Sequence, residues 1–167
     1  MYKKTMVFQR VTNYNIMFII SVLFTKILFY SYFNSKDHWI IVIKDQETNI
    51  EYMNNVIGSD DILTFEWIHS VEKTYWQEKI QITDDGEIML IETSFESYGS
   101  GVPFQKEGKV KVKNGYVTIS NLKEIKEAYR WIHSQKANFT IYKNDDILLN
   151  PDDIPHHHKV ELIVKKG

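Results

Sequence analysis

The chain has 167 residues, of which 43% are hydrophobic and 25% charged, and its formal net charge is −2. This length suits one globular domain with a short appendage, and the near-neutral charge offers no basic surface for nucleic acid. The sequence contains no cysteine, which excludes disulfides, thiolate metal sites and a cysteine nucleophile.

The first element in chain order is an apolar segment at residues 14–33. A bilayer-spanning helix needs roughly 20 such residues. Lys3, Lys4 and Arg10 precede the segment, and positive charge stays in the cytoplasm. The sequence therefore predicts a single-pass protein of the cell membrane, with its N-terminus inside and the remaining chain outside the cytoplasm.

Lys26 complicates this transmembrane helix, because a lysine near the middle of a span costs about 2.5–3.5 kcal/mol on insertion scales. Its long stem can place the ammonium group at the outer interface. A cleaved secretory signal and a buried core helix are the alternatives, and the lack of a small-residue cleavage pattern disfavours cleavage. We expect a cytoplasmic stub and anchor in residues 1–35 and an extracytoplasmic β domain in residues 36–167.

Beyond the anchor, short β-branched and alternating segments are separated by turn signals. Strands are predicted at residues 39–44, 50–57, 63–71, 76–83, 87–95, 116–119, 139–142, 147–149 and 159–164. Strands at spacings near ten residues indicate an all-β domain, mainly an antiparallel β-sandwich or a barrel-like fold.

Residues 120–132 fit two patterns. Leu122, Ile125 and Tyr129 fall on helical spacing, and Asn121 resembles the start of a capping box. The aromatic residues of 128–133 also suit a strand. We predict a helical turn that leads into a strand.

The segment from Phe65 to Glu78 predicts a β-hairpin. Successive side chains of a strand alternate between faces, so Trp67 and His69 share one face, as do Trp76 and Glu78 on the next strand. A four-residue loop at 72–75 would pair His69 with Glu78.

A second turn, at Asp85-Gly86, would then place Thr93 beside Glu78. The result is a row of His69, Glu78 and Thr93 across three strands. It would be walled by Trp67, Trp76, Ile80, Ile91 and Phe95.

This polar row is the best candidate for a working site, because an unpaired buried charge costs several kcal/mol unless it bonds to a partner or a ligand. Either the His69–Glu78 pair fixes the strand register or it binds a polar ligand. His69 and Ser70 are adjacent and point to opposite faces, so they do not form a nucleophile–base dyad. The sequence identifies no catalytic residue.

Two further motifs are weaker. The loop of Gly99, Ser100 and Gly101 is either a simple turn or a set of backbone amides that binds an anion such as a carboxylate. Residues 156–158 are three adjacent histidines, which do not converge naturally in an extended chain, so we expect a solvated loop there and no metal site. No cofactor is expected.

One string carries a family resemblance. Residues 69–74 (HSVEKT), flanked by Trp67 and Trp76 and followed by the Gly-Ser-Gly loop at 99–101 and the Asn-Gly-Tyr segment at 114–116, resemble the bacterial family called domain of unknown function 1850. The chain lacks the cysteine pair that many members carry in the C-terminal region, so no disulfide role is carried over.

The resemblance implies an association with tripartite ATP-independent transporters whose binding proteins belong to the TAXI group. It implies no reaction. The first hypothesis is therefore an extracytoplasmic accessory or small-ligand-binding module for solute uptake. Its expected partners are the membrane, a transporter subunit or solute-binding protein, and a small anionic ligand. The alternatives are an enzyme that uses His69 and Glu78 for acid–base chemistry and a purely structural or assembly domain.

Overall fold

The computed structural model describes residues 17–28, 39–96 and 108–167, which fall into two compact units, 1–36 and 37–167. In the first unit, residues 17–28 form helix α1, and all of its side chains are exposed. Among the described residues, no helix is long and apolar enough to cross a membrane. The predicted span at 14–33 includes residues on both sides of 17–28 that lie outside the described residues.

The regular elements of the second unit are mostly antiparallel strands. They are β1 Trp39–Asp45, β2 Glu51–Ile57, β3 Ile62–Ile68, β4 Tyr75–Ile82, β5 Ile88–Phe95, β6 Lys109–Lys113, β7 Tyr116–Lys126, β8 Tyr129–Ile132, β9 Thr140–Lys143, β10 Asp146–Leu149 and β11 Lys159–Lys166. Two short 3-10 helices, Gln135–Ala137 and Pro151–Asp153, lie on either side of β9 and β10. A four-stranded sheet has the order β2-β1-β11-β8, and a seven-stranded sheet has the order β10-β9-β3-β4-β5-β7-β6.

The two sheets share one hydrophobic core. Ile41 and Leu162 from the small sheet and Phe65, Ile80 and Leu90 from the large sheet belong to a single buried cluster. Because inward-facing side chains alternate with outward-facing polar ones along each strand, this arrangement is the inter-sheet core of a sandwich. The predicted all-β, antiparallel, sandwich-like domain is confirmed.

The hairpin of β3 and β4 keeps the predicted faces but changes the predicted partners. Trp67 lies opposite Trp76, and Phe65 lies opposite Glu78. The prediction that His69 pairs with Glu78 is therefore wrong, because the residue opposite Glu78 lies four positions earlier in the chain. A shift by an even number of residues preserves the side-chain alternation, so the inward face carries the predicted residues.

The cause of the shift is the position of the turn. His69 and Thr74 close it through a hydrogen bond from the His69 amide to the Thr74 carbonyl of 2.8 Å, so the four-residue loop occupies 70–73. Lys73 adopts the left-handed conformation with φ 58°, which a sequence pattern does not reveal. The earlier turn also lets the indoles of Trp67 and Trp76 stack at 6.0 Å between centroids.

The next hairpin, between β4 and β5, confirms two predicted pairs, Glu78 with Thr93 and Trp76 with Phe95. The turn itself differs from the prediction, because three residues rather than two lie between the closing residues at 83 and 87. Gly86 takes φ 82° there, as in the three-residue hairpin loop that ends in a left-handed glycine.

A β-bulge in β5 compensates for the extra turn residue. Lys79 lies opposite Glu92 while Ile80 lies opposite Leu90, so Ile91 has no cross-strand partner in this pair. The bulge moves Leu90 to the buried face. The prediction that Ile91 walls the polar row is wrong, and Leu90 takes that place.

Strand β7 replaces the predicted helical turn near residue 120. Asn121, expected to cap a helix, has φ 60° and lies where the register between β5 and β7 shifts. Leu122 is buried in the core, so its apolar spacing reflects an irregular strand. The strand predicted within 128–133 is confirmed as β8, whereas β6 was not predicted.

Candidate functional site

A cavity of about 370 Å³ opens between the two sheets where β3 and β4 face β8. It is lined by Trp67, Ile68, His69, Ser70, Glu78, Tyr129, Arg130, Trp131, Ile132, Ser134, Ala137 and Phe139. Ligand pockets commonly measure about 300–1,000 Å³. The cavity therefore has room for a small molecule, and it contains both ionisable candidates of the predicted row, His69 and Glu78.

Glu78 is half-buried on the inward face of β4. Its Oε2 accepts a hydrogen bond of 2.5 Å from the Tyr129 hydroxyl of the opposite sheet. Burial, together with the negative charge of Glu78, raises the pKa of Tyr129 well above its usual value. Tyr129 therefore remains a donor, and the bond joins the two sheets at the cavity wall.

His69 borders the same cavity but does not bond to Glu78. Its ring stacks on Trp76 at 5.4 Å, and its Nδ1 accepts a hydrogen bond of 3.3 Å from the Glu72 amide. Ser70 also lines the cavity, because β3 ends at Ile68 and the alternation that separated Ser70 from His69 stops there. The described contacts include no hydrogen bond between these two side chains.

Three stacked aromatic rings, Trp67, Trp131 and Phe139, also line the cavity. Trp131 stacks on Phe139 at 5.1 Å with an interplanar angle of 7°, and Phe139 stacks on Trp67 at 5.7 Å. The series continues through Trp76 to Phe95, whose centroids lie 4.8 Å apart. Five rings from four strands and a loop thus form one continuous stack beside the carboxylate.

His133 holds one of these rings in place. It is fully buried, and its Nε2 lies 2.7 Å from the Pro151 carbonyl, to which a neutral ring donates. Its Nδ1 then accepts a hydrogen bond of 3.4 Å from the Trp131 indole. Burial lowers the pKa of His133, which favours the neutral form that this pair of bonds requires.

Two other predicted site residues, Thr93 and Trp76, do not line the cavity. Thr93 is buried opposite Glu78, and its Oγ1 and the Trp76 Nε1 are buried atoms without a hydrogen-bond partner among the described residues. Buried polar atoms of this kind call for a specific explanation. The predicted anion loop of Gly99, Ser100 and Gly101 lies outside the described residues.

Sequence reasoning missed the contribution of β8. Tyr129, Trp131 and His133 alternate with Arg130 and Ile132, and this period of two was the available signal for one aromatic face of a strand. Nothing in the local sequence indicates that this face meets Glu78. Phe139 follows the first 3-10 helix and likewise reaches the cavity only through the fold.

A second polar cluster lies on the small sheet, where the end of β1, β2 and the segment before β11 meet. Asp45 is 2% exposed, and its Oδ1 accepts hydrogen bonds from the Glu47 and Thr48 amides. Its Oδ2 contacts His158 Nδ1 at 2.7 Å and the Tyr52 hydroxyl at 3.2 Å. The hydrogen bonds from Thr48 and His158 hold the pKa of Asp45 well below its usual range.

The three adjacent histidines diverge in the structure. His156 and His157 stack on each other at 3.8 Å, whereas His158 turns to Asp45. Across residues 17–28, 39–96 and 108–167, no group of three or more His, Asp or Glu side chains is arranged to hold a metal ion.

A separate cleft of about 400 Å³ lies on the outer side of the large sheet. It is lined by Glu66, Tyr75, Trp76, Gln77, Ser94 and Tyr116. Glu66 precedes Trp67 in β3, so its carboxylate belongs to the outward face. Glu66 in the outer cleft and Glu78 in the inter-sheet cavity therefore lie on opposite faces of the large sheet.

The fold and the cavity define a β-sandwich protein with an acidic, aromatic pocket between its sheets. A sequence model of the family described as Domain of unknown function (DUF1850) matches residues 63–148, and the chain belongs to this family. All residues that line the inter-sheet cavity fall within the matched range. No curated protein and no solved structure matches the chain.

Proposed function

We propose that this protein is a small-ligand-binding module and that its ligand occupies the cavity between β3, β4 and β8. The observation that carries the proposal is the meeting of His69, Glu78 and three stacked aromatic rings around about 370 Å³ of space. Residues with a purely structural role would lie sealed in the core rather than beside a cavity. Binding rather than catalysis is favoured because the two ionisable groups bond to separate partners.

We further propose that the module is anchored in the cell membrane by residues 14–33 and faces the outside, where it assists solute uptake. The apolar segment and the preceding Lys3, Lys4 and Arg10 support this topology. The family resemblance supports a partner in a tripartite transporter, either its membrane subunit or its solute-binding protein.

The binding function is tested by filling the cavity. Ala137 lines it, so Ala137→Trp places an indole in the ligand space, while Gln77→Trp adds the same group to the outer cleft. Each full-length protein is purified from membranes, and its bound metabolites are identified by mass spectrometry. We expect a small molecule with the wild type and with Gln77→Trp, and its loss from Ala137→Trp. Equal recovery from all three proteins, or none from the wild type, would refute ligand binding in this cavity.

The topology is tested separately in cells. Protease added to intact protoplasts should digest the domain from Trp39 onward, because the positive residues keep the N-terminus inside. Protection of the domain in intact protoplasts, with digestion after lysis, would reverse the assignment.

A further inference from the structure

The ionisable residues of the inter-sheet cavity do not contribute equally to its charge. Among the described residues that line it, Glu78 is the one carboxylate. Arg130 also lines it, but its Nε is bonded to Glu161 Oε2 at 3.0 Å, and half of its side chain is exposed. His69 directs Nδ1 to the Glu72 amide. Within the described chain, no basic side chain forms a salt bridge with Glu78.

The carboxylate also has unused capacity. Tyr129 bonds to Oε2, and no described residue donates a hydrogen bond to Oε1. An ionised carboxylate accepts at two oxygens with about four lone-pair sites. Glu78 can therefore accept further hydrogen bonds from a ligand in the cavity.

The aromatic rings add to the same preference. Trp67, Trp131 and Phe139 all line the cavity and stack on one another. Aromatic faces carry partial negative charge and attract cations, most strongly in tryptophan. A carboxylate beside such faces is the chemistry that recognises an ammonium group.

We propose that the cavity binds a small organic cation whose ammonium group lies against the Glu78 carboxylate and the aromatic wall formed by Trp67, Trp131 and Phe139. This inference rests on the proposed binding function and names the ligand class. An anionic ligand, as the sequence predicted, would face the like charge of Glu78. Arg130, whose Nε donates to Glu161 and half of whose side chain is exposed, is the basic group that an anionic ligand would have to use.

Three probes that differ mainly in charge test the inference: cyclohexylmethylammonium, cyclohexylmethanol and cyclohexanecarboxylate. Each is titrated into the full-length protein while the indole N–H resonances are followed by NMR. We expect the ammonium probe to shift Trp67 and Trp131 in a saturable manner, with an affinity about tenfold higher than that of the alcohol. Trp39 does not line the cavity and serves as the internal reference.

Two matched variants locate the effect. Glu78→Gln keeps the shape of the side chain and should reduce ammonium affinity about tenfold, whereas Glu66→Gln, in the outer cleft, should leave it unchanged. Phe139→Leu keeps an apolar wall without an aromatic face and should lower the ammonium preference independently of Glu78. Thermal unfolding of each variant verifies that it is folded.

The outcomes separate the two proposals. Tighter binding of the carboxylate probe at Trp67 and Trp131 would overturn the cation assignment and leave ligand binding standing. Equal affinity for the ammonium and the alcohol, or no effect of Glu78→Gln, would also overturn it. If none of the three probes perturbs these indoles, the cation assignment fails, and the metabolite recovery from Ala137→Trp alone decides the proposed function.

Discussion

Glu78 and Asp45 each accept a hydrogen bond from a tyrosine hydroxyl, yet their surroundings differ. Asp45 is buried and has four hydrogen-bonding partners, two backbone amides, His158 and Tyr52. Glu78 is half-buried, accepts one hydrogen bond from a described residue and borders an open cavity. Both clusters also include a histidine, but only His158 contacts its carboxylate.

The comparison shows that composition does not distinguish a binding site from a structural cluster. A carboxylate whose lone pairs are satisfied within the protein has little left to offer a ligand and stabilises the native state. A carboxylate that keeps an unused oxygen next to a cavity is suited to binding. The two clusters also differ in position, since Asp45 lies outside the family-matched residues 63–148 and Glu78 lies within them.

The largest expected effect is a difference in melting temperature between variants of Asp45 and variants of Glu78. Asp45→Ala removes the acceptor of four hydrogen bonds and should lower the melting temperature by on the order of 10 °C. Glu78→Gln keeps an acceptor for Tyr129 and should stay within a few degrees of wild type. Circular dichroism at neutral pH measures both. If Glu78→Gln proves as damaging as Asp45→Ala, the Glu78 cluster is also structural.

An intermediate effect is expected at the bond between the sheets. Glu78→Met leaves the buried Tyr129 hydroxyl without a partner and should cost about 1–3 kcal/mol of unfolding free energy. Adding Tyr129→Phe removes that hydroxyl and should recover most of the loss, since an apolar pair can replace a buried polar one. Urea unfolding of both single variants and the double variant measures the coupling. Additive losses would mean that the bond contributes nothing specific.

The smallest expected effect concerns how protein stability depends on pH through His133. The folded protein holds His133 with a lowered pKa, so the unfolded chain binds the proton more readily. The stabilisation that the neutral ring contributes is present above the unfolded pKa of about 6.5 and is lost as the pH falls below it. Unfolding free energies between pH 7 and 5 should therefore decrease by less in His133→Gln than in wild type.

Asp45 has the opposite charge and a different pH window. Its folded pKa is lowered, so its contribution is present above the unfolded value of about 3.9 and is lost as the pH falls further. Acid unfolding of wild type should thus show a second decline below pH 4. A variant with Asp45→Asn should lack this second decline while keeping the first.

The strands and their faces were largely predictable because alternation is a local property. The inward positions of Phe65, Trp67, Trp76 and Glu78 followed from the period of two, and the pairing of Glu78 with Thr93 followed from the Asp-Gly signal. Turn geometry was less accessible. The first turn, which contains the left-handed Lys73, lies two residues earlier than predicted. The second turn is one residue longer than predicted, and a β-bulge at Ile91 compensates for the extra residue.

The sequence by itself determined an all-β domain, its inward-facing residues and the presence of a carboxylate among aromatic side chains, because each depends on neighbours along the chain. Only the tertiary structure decided that Tyr129, Trp131 and Phe139 face Glu78. These residues lie more than 50 positions beyond Glu78, and their meeting depends on which sheet β8 joins. Sheet membership is set by the joint burial of many side chains rather than by any local pattern. For the same reason, only the fold shows that Asp45 has its hydrogen-bonding partners within the protein, whereas Glu78 borders a cavity.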